Sequence, residues 1–234
     1  MPDLDTFEVV VDPAIYAAHP DYVALVLVAA GLDNGPTDHD SRTQLAAAEE
    51  HLRGSGLRKA TDHPHIASWR AAFSAFGAKP SSYPSSAEAL IGRVLKGQQL
   101  PRVNVLVDLY NSVSVRYVVP LGGEDADHLE GPLRLTVAEG AEPFDPRGDG
   151  SDIEEVPAGE VVWRDDRGVT CRRWNWRQGR RTQLTGDTTT AFFVFDRLDG
   201  LAVEQLHAAA DELSRLLLAL WPDCRLHRVE RHAQ

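Results

Sequence analysis

Thiols are scarce in this chain. Cys171 and Cys224 are its only cysteines in 234 residues, and they form neither a CxxC nor a zinc-ligand spacing. That excludes a disulfide-built secreted module and points to a reducing compartment, with the cytoplasm as the expected location. An apolar run of roughly 18 residues, the minimum for a membrane helix, is also missing. The longest, Tyr22 to Leu32, is closed by Asp21 and Asp33 and reads as a core strand. The opening Met1-Pro2-Asp3-Leu4-Asp5 is acidic where a signal peptide carries positive charge, so no leader is expected. Positive charge is the minority sign. Against 35 Asp+Glu stand 24 Lys+Arg, leaving −11, which argues against a non-specific nucleic-acid coat and against DNA as a partner. A local basic groove is not excluded.

The common catalytic signatures are absent as well: no GxSxG, Walker A, HExxH or GxGxxG. His63 with His65, and His227 with His232, lack further ligand partners at metal spacing and read as surface histidines. No metal and no cofactor are expected. Neither internal repeats nor low-complexity tracts interrupt the chain. What it does have, 43% hydrophobic and 25% charged residues, suits a folded core and one domain. The expected division is an N-terminal strand and helix extension over 1–62, a core over 63–198, and a C-terminal helix and tail over 199–234.

Phe7 to Val11 and Tyr22 to Ala29 are β-rich. From Ser41, Leu45, Ala48 and Leu52 recur at helical spacing until Gly54-Ser55-Gly56. Asp62-His63-Pro64 starts another helix, whose face is Ile66, Trp69, Phe73 and Phe76, stopped by Gly77. Ser85 with Glu88 forms a capping-box pattern for a helix to about Lys96. Asn104 to Tyr117 is helical, and Leu133 to Phe195 is strand-like with a long acidic loop at Glu142 to Gly159. Val203 to Leu220 is the clearest helix of all, ended by Trp221-Pro222. Strands, then helices, then strands, then a helix predict an α+β fold, a mixed or antiparallel sheet packed with helices around a central pocket.

Three segments carry candidate chemistry. Asn104, Asp108 and Asn111 fall at i, i+4 and i+7 on one helix face, with Leu106, Leu109 and Val113 opposite. The polar stripe is either a ligand-facing wall or a solvated or buried structural network. Pro120-Leu121-Gly122-Gly123-Glu124-Asp125 follows, and paired glycines there either let a backbone approach a ligand or simply turn the chain. Cys171-Arg172-Arg173-Trp174-Asn175-Trp176-Arg177-Gln178, with Arg180 and Arg181, packs five cations into ten residues. As a strand it places Arg172, Trp174 and Trp176 on one face, and Arg173, Asn175 and Arg177 on the other. Such interleaving suits stacking on a base and contact with phosphate. Alternatively the tryptophans complete the core and the arginines pair with acids such as Asp165 and Asp166.

Over Trp69 to Thr188, about half the chain, four stretches carry a resemblance. They are WRAAFSAFGAKPSSYPSSAEALIGRVLKGQQLPRVNVLVDLYNSVS, PLGGEDADHLEGPLRL, EPFDPRGD and GEVVWRDDRGVTCRRWNWRQGRRTQLTGDT. In these the chain resembles the freestanding B3/B4-domain proteins, which look like the editing domain of the bacterial phenylalanyl-tRNA synthetase β subunit. The resemblance implies a B3/B4-like α+β fold with a pocket between helix and sheet, and metal-independent hydrolysis of the ester of a mischarged tRNA. The synthetase-like pattern N-x-V-V-D-x-x-N matches at Asn104, Asp108 and Asn111. Pro101 stands where the synthetase has Arg, and Gly122 where it has His. Its small, Gly-rich pocket wall is replaced by the bulky, basic Trp174 to Gly179.

The expectation is a stand-alone aminoacyl-tRNA deacylase acting in trans, with the acceptor end of tRNA as partner. Asn104, Gly122, Gly123 and Glu124 are its candidate catalytic groups. Asp108, Asn111, Arg173, Trp174, Asn175, Trp176, Arg177 and Gln178 are its candidate substrate contacts. The rival is a non-catalytic module that binds tRNA, a nucleotide or a free amino acid.

Overall fold

The computed structural model describes residues 4–233. Helices packed on two sheets make up an α+β fold. The smaller sheet, ordered β11-β2-β10-β3, is antiparallel throughout. It contains β2 (Val23–Ala30), β3 (Leu121–Asp125), β10 (Thr190–Arg197) and β11 (Arg225–His232). All eight residues of β2 are buried, which explains why its sequence is a continuous apolar run rather than an alternation. Covered on both sides, it divides two cores.

On one side lie α5 (Val105–Tyr117) and α6 (Val203–Leu220). Leu106, Leu109 and Val113 of α5 pack with Leu206, Leu213 and Leu217 of α6 on Leu25, Leu27, Phe193 and Phe195. The helix from Asn104 therefore sits on β2, β3 and β10, and only the last of these belongs to the strand-like region expected to receive it. Outside α5 lie α2 (His39–Gly54) and α4 (Ser86–Leu95), with α3 (Pro64–Ala75) nearby. Ser85 caps α4 by accepting from the Glu88 amide, but the Glu88 carboxylate turns to Arg70, so half of the capping box forms.

The other side meets the larger sheet, ordered β1-β4-β7-β8-β5-β6 with β9 on β8. Its strands are β1 (Val9–Val11), β4 (Leu133–Val137), β5 (Glu142–Phe144), β6 (Glu154–Val156), β7 (Val161–Arg164), β8 (Val169–Arg172) and β9 (Arg177–Gln178). Val26, Val28, Phe192 and Val194 face Leu133, Leu135, Trp163 and Trp174 across the seam, with Trp69 and Phe73 of α3 closing it.

Four segments depart from the sequence reading. Glu142 to Gly159 is no structureless loop: β5 and β6 pair within it as a hairpin. Pro13–Ala18 forms the short helix α1, started by an Asp12 cap. The Gly122-Gly123 turn is strand β3, and the C-terminal tail is strand β11. His65 is not a surface histidine. Fully buried, it accepts from the Trp69 indole (3.0 Å) and the Leu198 amide (3.1 Å) through Nε2, so Nδ1 donates to the Val118 carbonyl (2.8 Å). That bond holds Val118, a non-glycine residue at φ 54°, where α5 ends. Burial lowers the His65 pKa to about 4.

Candidate functional site

A pocket of about 230 Å³ opens where α4 and α5 meet the outer edge of β3. Gly122 and Glu124 of β3 and Val194 and Asp196 of β10 line it from the sheet. Tyr110 and Asn111 line it from α5, and Ala89 and Leu90 from α4. The far wall is the turn between β8 and β9, from Trp174 to Gln178, backed by Trp163 and Cys171. Two hydrogen bonds tie the turn to α4 and to β3. The Asn175 carbonyl accepts from the Ser86 amide at the start of α4 (3.1 Å), and Gln178 Nε2 donates to the Gly123 carbonyl (3.1 Å).

Eight of the residues singled out in the sequence thus meet at one pocket: Asn111, Gly122, Glu124, Trp174, Asn175, Trp176, Arg177 and Gln178. The others lie off its wall. Asn104 is the N-cap of α5, its Oδ1 accepting from the Val107 amide (2.9 Å) and its Nδ2 donating to the Leu184 carbonyl (3.3 Å). Asp108 Oδ1 accepts from the Val103 amide (3.1 Å). The shared helix face is real, but the unsatisfied amides at the helix start take up the first two members of the stripe.

The two glycines differ in role. Asp196 N–H donates to the Pro120 carbonyl (3.0 Å), and the register then pairs Gly122 with Val194 and Glu124 with Phe192. Alternation directs the Gly122 amide into the ladder and the Gly123 amide to the outer edge, where Glu124 bridges Gln183 and the Asp125 amide donates to the Thr182 carbonyl (2.8 Å). A side chain at Gly122 would point at the Gln178 amide, whereas one at Gly123 would strike Phe193 and Leu184.

The arginine-rich segment is not one strand. After Arg172 the chain turns through Arg173 (φ 47°) and Trp174 (φ 64°), two consecutive left-handed non-glycine residues. The turn abolishes the two-faced arrangement and drives the Trp174 ring into the core, 5.0 Å from both Tyr22 and Trp69. The cations are largely neutralised by acids of the same sheet. Arg172 binds Glu160 through two nitrogens (2.9 Å each) and Glu154 through the third (2.6 Å). Arg173 pairs with Glu160 and lies against the rings of Tyr83 and Trp176, 3.8 and 4.5 Å from their centres. Arg177 reaches Glu154, and Arg181 reaches the buried Asp165 (2.8 Å). Glu154 and Glu160, rather than the nearby Asp166, do most of this work; Asp166 pairs with Arg134.

The pocket's negative charge is carried by two buried carboxylates. Burial raises the Glu124 carboxyl to about 7, against the hydroxyl of Thr182, which donates to it, and the Arg181 charge. Burial likewise raises Asp196 to about 6, although Tyr22 Oη (2.6 Å) and Asn175 Nδ2 (3.2 Å) both donate to it. Trp163 and Trp174 turn indole N–H groups toward Asp196 without reaching ordinary hydrogen-bond geometry. Cys171 is a poor nucleophile, because burial, then the Glu124 and Asp196 charges, push its thiol far up. Sequence reasoning found Glu124 and missed Asp196. Its signal is a lone acid ending the run Ala191-Phe192-Phe193-Val194-Phe195, with the same strand parity as Val194.

No His, Cys, Asp and Glu grouping among the described residues is suited to a metal ion, and no described helix is long and apolar enough to cross a membrane. A family model described as B3/4 domain matches residues 68–218. Among solved structures, the chain is similar to an N-terminal fragment of the phenylalanyl-tRNA synthetase beta-subunit from Pyrococcus horikoshii. The identity is 15% and the TM-score 0.43, over 96% of this chain and 54% of that one. The chain therefore spans about half the length of that fragment. No curated protein matches it.

Proposed function

Because this chain belongs to the B3/4 domain family, we propose that its pocket hydrolyses the ester of a mischarged tRNA in trans, with Glu124 as general base. The observation that carries this is the buried Glu124 carboxylate on the pocket wall with a pKa of about 7. A carboxylate tuned to neutrality takes a proton from water far better than an ordinary one while remaining substantially ionised at pH 7. In the step, water attacks the ester carbonyl carbon and Glu124 accepts its proton. The carbonyl oxygen takes up negative charge, met by the side-chain amides of Asn111 and Gln178 on the pocket wall. When the tetrahedral species collapses, the bond to the ribose oxygen breaks. That oxygen leaves with the proton from Glu124, giving free amino acid and deacylated tRNA. Donors already aimed at the developing charge are worth several kcal/mol in such reactions.

Arg180, exposed and with no carboxylate partner among the described residues, is the cation free to meet acceptor-end phosphates, and Arg177, whose pair with Glu154 is itself solvent-exposed, stands beside it. Asn111, Trp176 and Gln178 would position the terminal nucleotide or the aminoacyl group. Asn104, Asp108 and Arg173 would act through the shape of α5 and the turn. Action on a released tRNA would take place in the cytoplasm.

A second reading, a non-catalytic module for an amino acid, a nucleotide or tRNA, is favoured by one observation: the internal pairing of most of the arginines. Single-turnover deacylation of a panel of mischarged tRNAs separates the two. Wild type should remove at least one aminoacyl group, and Glu124→Gln should be about 100-fold slower or worse. Loss of no ester from the panel, or an unchanged rate in Glu124→Gln, hands the pocket to the second reading.

A further inference from the structure

The end of the pocket away from Glu124 has an unusual electrostatic composition. Asp196 is buried, and among the described residues no Arg, Lys or His forms an ion pair with it. The arginines of the neighbouring turn are committed to Glu154 and Glu160. A buried carboxylate whose only partners are neutral donors is costly to keep, and a cation entering the pocket would relieve it. Beside it, the Asn175 side chain donates to Asp196 through Nδ2 while its Oδ1 is a buried acceptor without a partner. The rings of Trp163, Trp174 and Tyr110 line the same pocket. Trp174 and Trp163 are almost wholly buried and their indole N–H groups are also unpartnered. A negative charge, a free carbonyl oxygen and an aromatic wall together match a primary ammonium ion, which offers three donors and one positive charge.

We propose that Asp196 and Asn175 form an ammonium subsite that fixes the free α-amino group of the aminoacyl substrate. This rests on the hydrolytic reading of the pocket and supplies its substrate class: amino acids carried with an unblocked amine, to the exclusion of N-acylated or peptidyl groups. The strand geometry is compatible. Phe192 lies opposite Glu124, and Asp196 follows four residues later on the same face, a separation of about 13 Å along the strand. The side chains of Glu124 and Asp196 shorten that interval, and an ammonium, α-carbon, ester carbon and attacking water in line fill the remainder. Gly122, lacking a side chain between them, keeps the path open. The left-handed pair Arg173-Trp174 serves the same end, since it turns Asn175 to face Asp196.

Binding of small esters tests this apart from turnover. Three probes are titrated by tryptophan fluorescence into Glu124→Gln protein, in which hydrolysis is suppressed: phenylalanine methyl ester, its Nα-acetyl derivative, and Nα-acetyl-lysine methyl ester. The first should bind at least about tenfold tighter than the second, and adding Asp196→Asn should erase the difference. If the lysine probe alone matches the tight binding, the ammonium recognised is that of a side chain, and the α-amino assignment is overturned while the subsite stands. Asn175→Ala keeps the Asp196 charge and should narrow the gap without closing it, which preserves the test if Asp196→Asn fails to fold. Equal affinity for the phenylalanine ester and its acetyl derivative overturns the proposal. If charged tRNA is then hydrolysed regardless of N-acetylation, the hydrolytic reading survives without this subsite. Tight ammonium-dependent binding with no hydrolysis of any tRNA leaves the subsite and removes the reaction.

Discussion

Replacing Glu124 by Gln should stabilise the protein at neutral pH even as it removes the proposed base. In the fold this carboxyl is raised from the ordinary 4.5 to about 7, chiefly by burial. The folded state therefore holds the proton more tightly than the unfolded chain. The stability contributed is fully present below pH 4.5 and is lost as pH rises through 7. At roughly 1.4 kcal/mol per pKa unit, the loss is about 3 kcal/mol. That is a substantial part of the 5–15 kcal/mol typical of whole domains. Gln is nearly isosteric, can still accept from Thr182, and carries no titrating proton. Other groups complicate wild type taken alone. Asp196, raised from 3.8 to about 6, works in the same direction over a lower window. His65, lowered from 6.5 to about 4, works in the opposite one, because its contribution is present above 6.5 and is lost as pH falls. The difference between variant and wild type isolates Glu124. Urea denaturation of both proteins at pH 5 and pH 8 should show the advantage of Glu124→Gln growing by most of that 3 kcal/mol at the higher pH. An advantage that is the same at both pH values would refute the assignment of a neutral-range pKa to Glu124, and with it the argument for this residue as the base.

Three further substitutions have expected outcomes. Arg172→Met leaves Glu160 buried with only the weaker Arg173 contact, and should cost about 3–5 kcal/mol by denaturant titration, with Arg172→Lys recovering only part because an ammonium lacks the planar fork that engages both Glu160 oxygens and Glu154 together. His65→Phe strands the Trp69 indole, the Leu198 amide and the Val118 carbonyl, and should lower stability by about 2–4 kcal/mol, seen as a drop in Tm. Asn104→Ala removes a helix cap and should cost about 1 kcal/mol, while deacylation by the folded fraction stays within a few-fold of wild type; a collapse of rate without loss of stability would return Asn104 to the catalytic set.

The fold class and most helices could be read from the sequence because they rest on local patterns. Leu206, Leu213 and Leu217 at helical spacing, or the unbroken apolar run of β2, are fixed by burial that period alone reports. Other features depend on partners far away in the chain. Gly122 and Gly123 look like a turn in isolation, and become a strand because β10, about 70 residues later, pairs with them. His65 looks like a polar surface residue until Leu198 and Val118 are folded against it. At the pocket, the sequence brought out Glu124 and the Trp174–Gln178 segment. It did not expose Asp196, which declares itself only through Tyr22 and Asn175. Nor did it show that Asn104 and Asp108 spend their hydrogen bonds on the backbone.

The position of Trp174 in the seam makes the pocket a property of the whole chain. Its ring touches His19, Tyr22 and Trp69, while its backbone carries one wall of the cavity and α4, α5 and strands from both sheets supply the rest. A partly folded chain has no such cavity, so a ligand would bind the native state alone. Occupancy must then raise the melting temperature of the entire protein, by an amount equivalent to about 2.7 kcal/mol at a hundred times Kd. Thermal-shift measurements across amino acids, their esters and nucleotides can therefore report the ligand directly, with both sheets melting later in the same transition. Amide exchange in β2, which neighbours β10 in the sheet and lines no part of the pocket, should slow by the same factor as exchange in β3, which does line it.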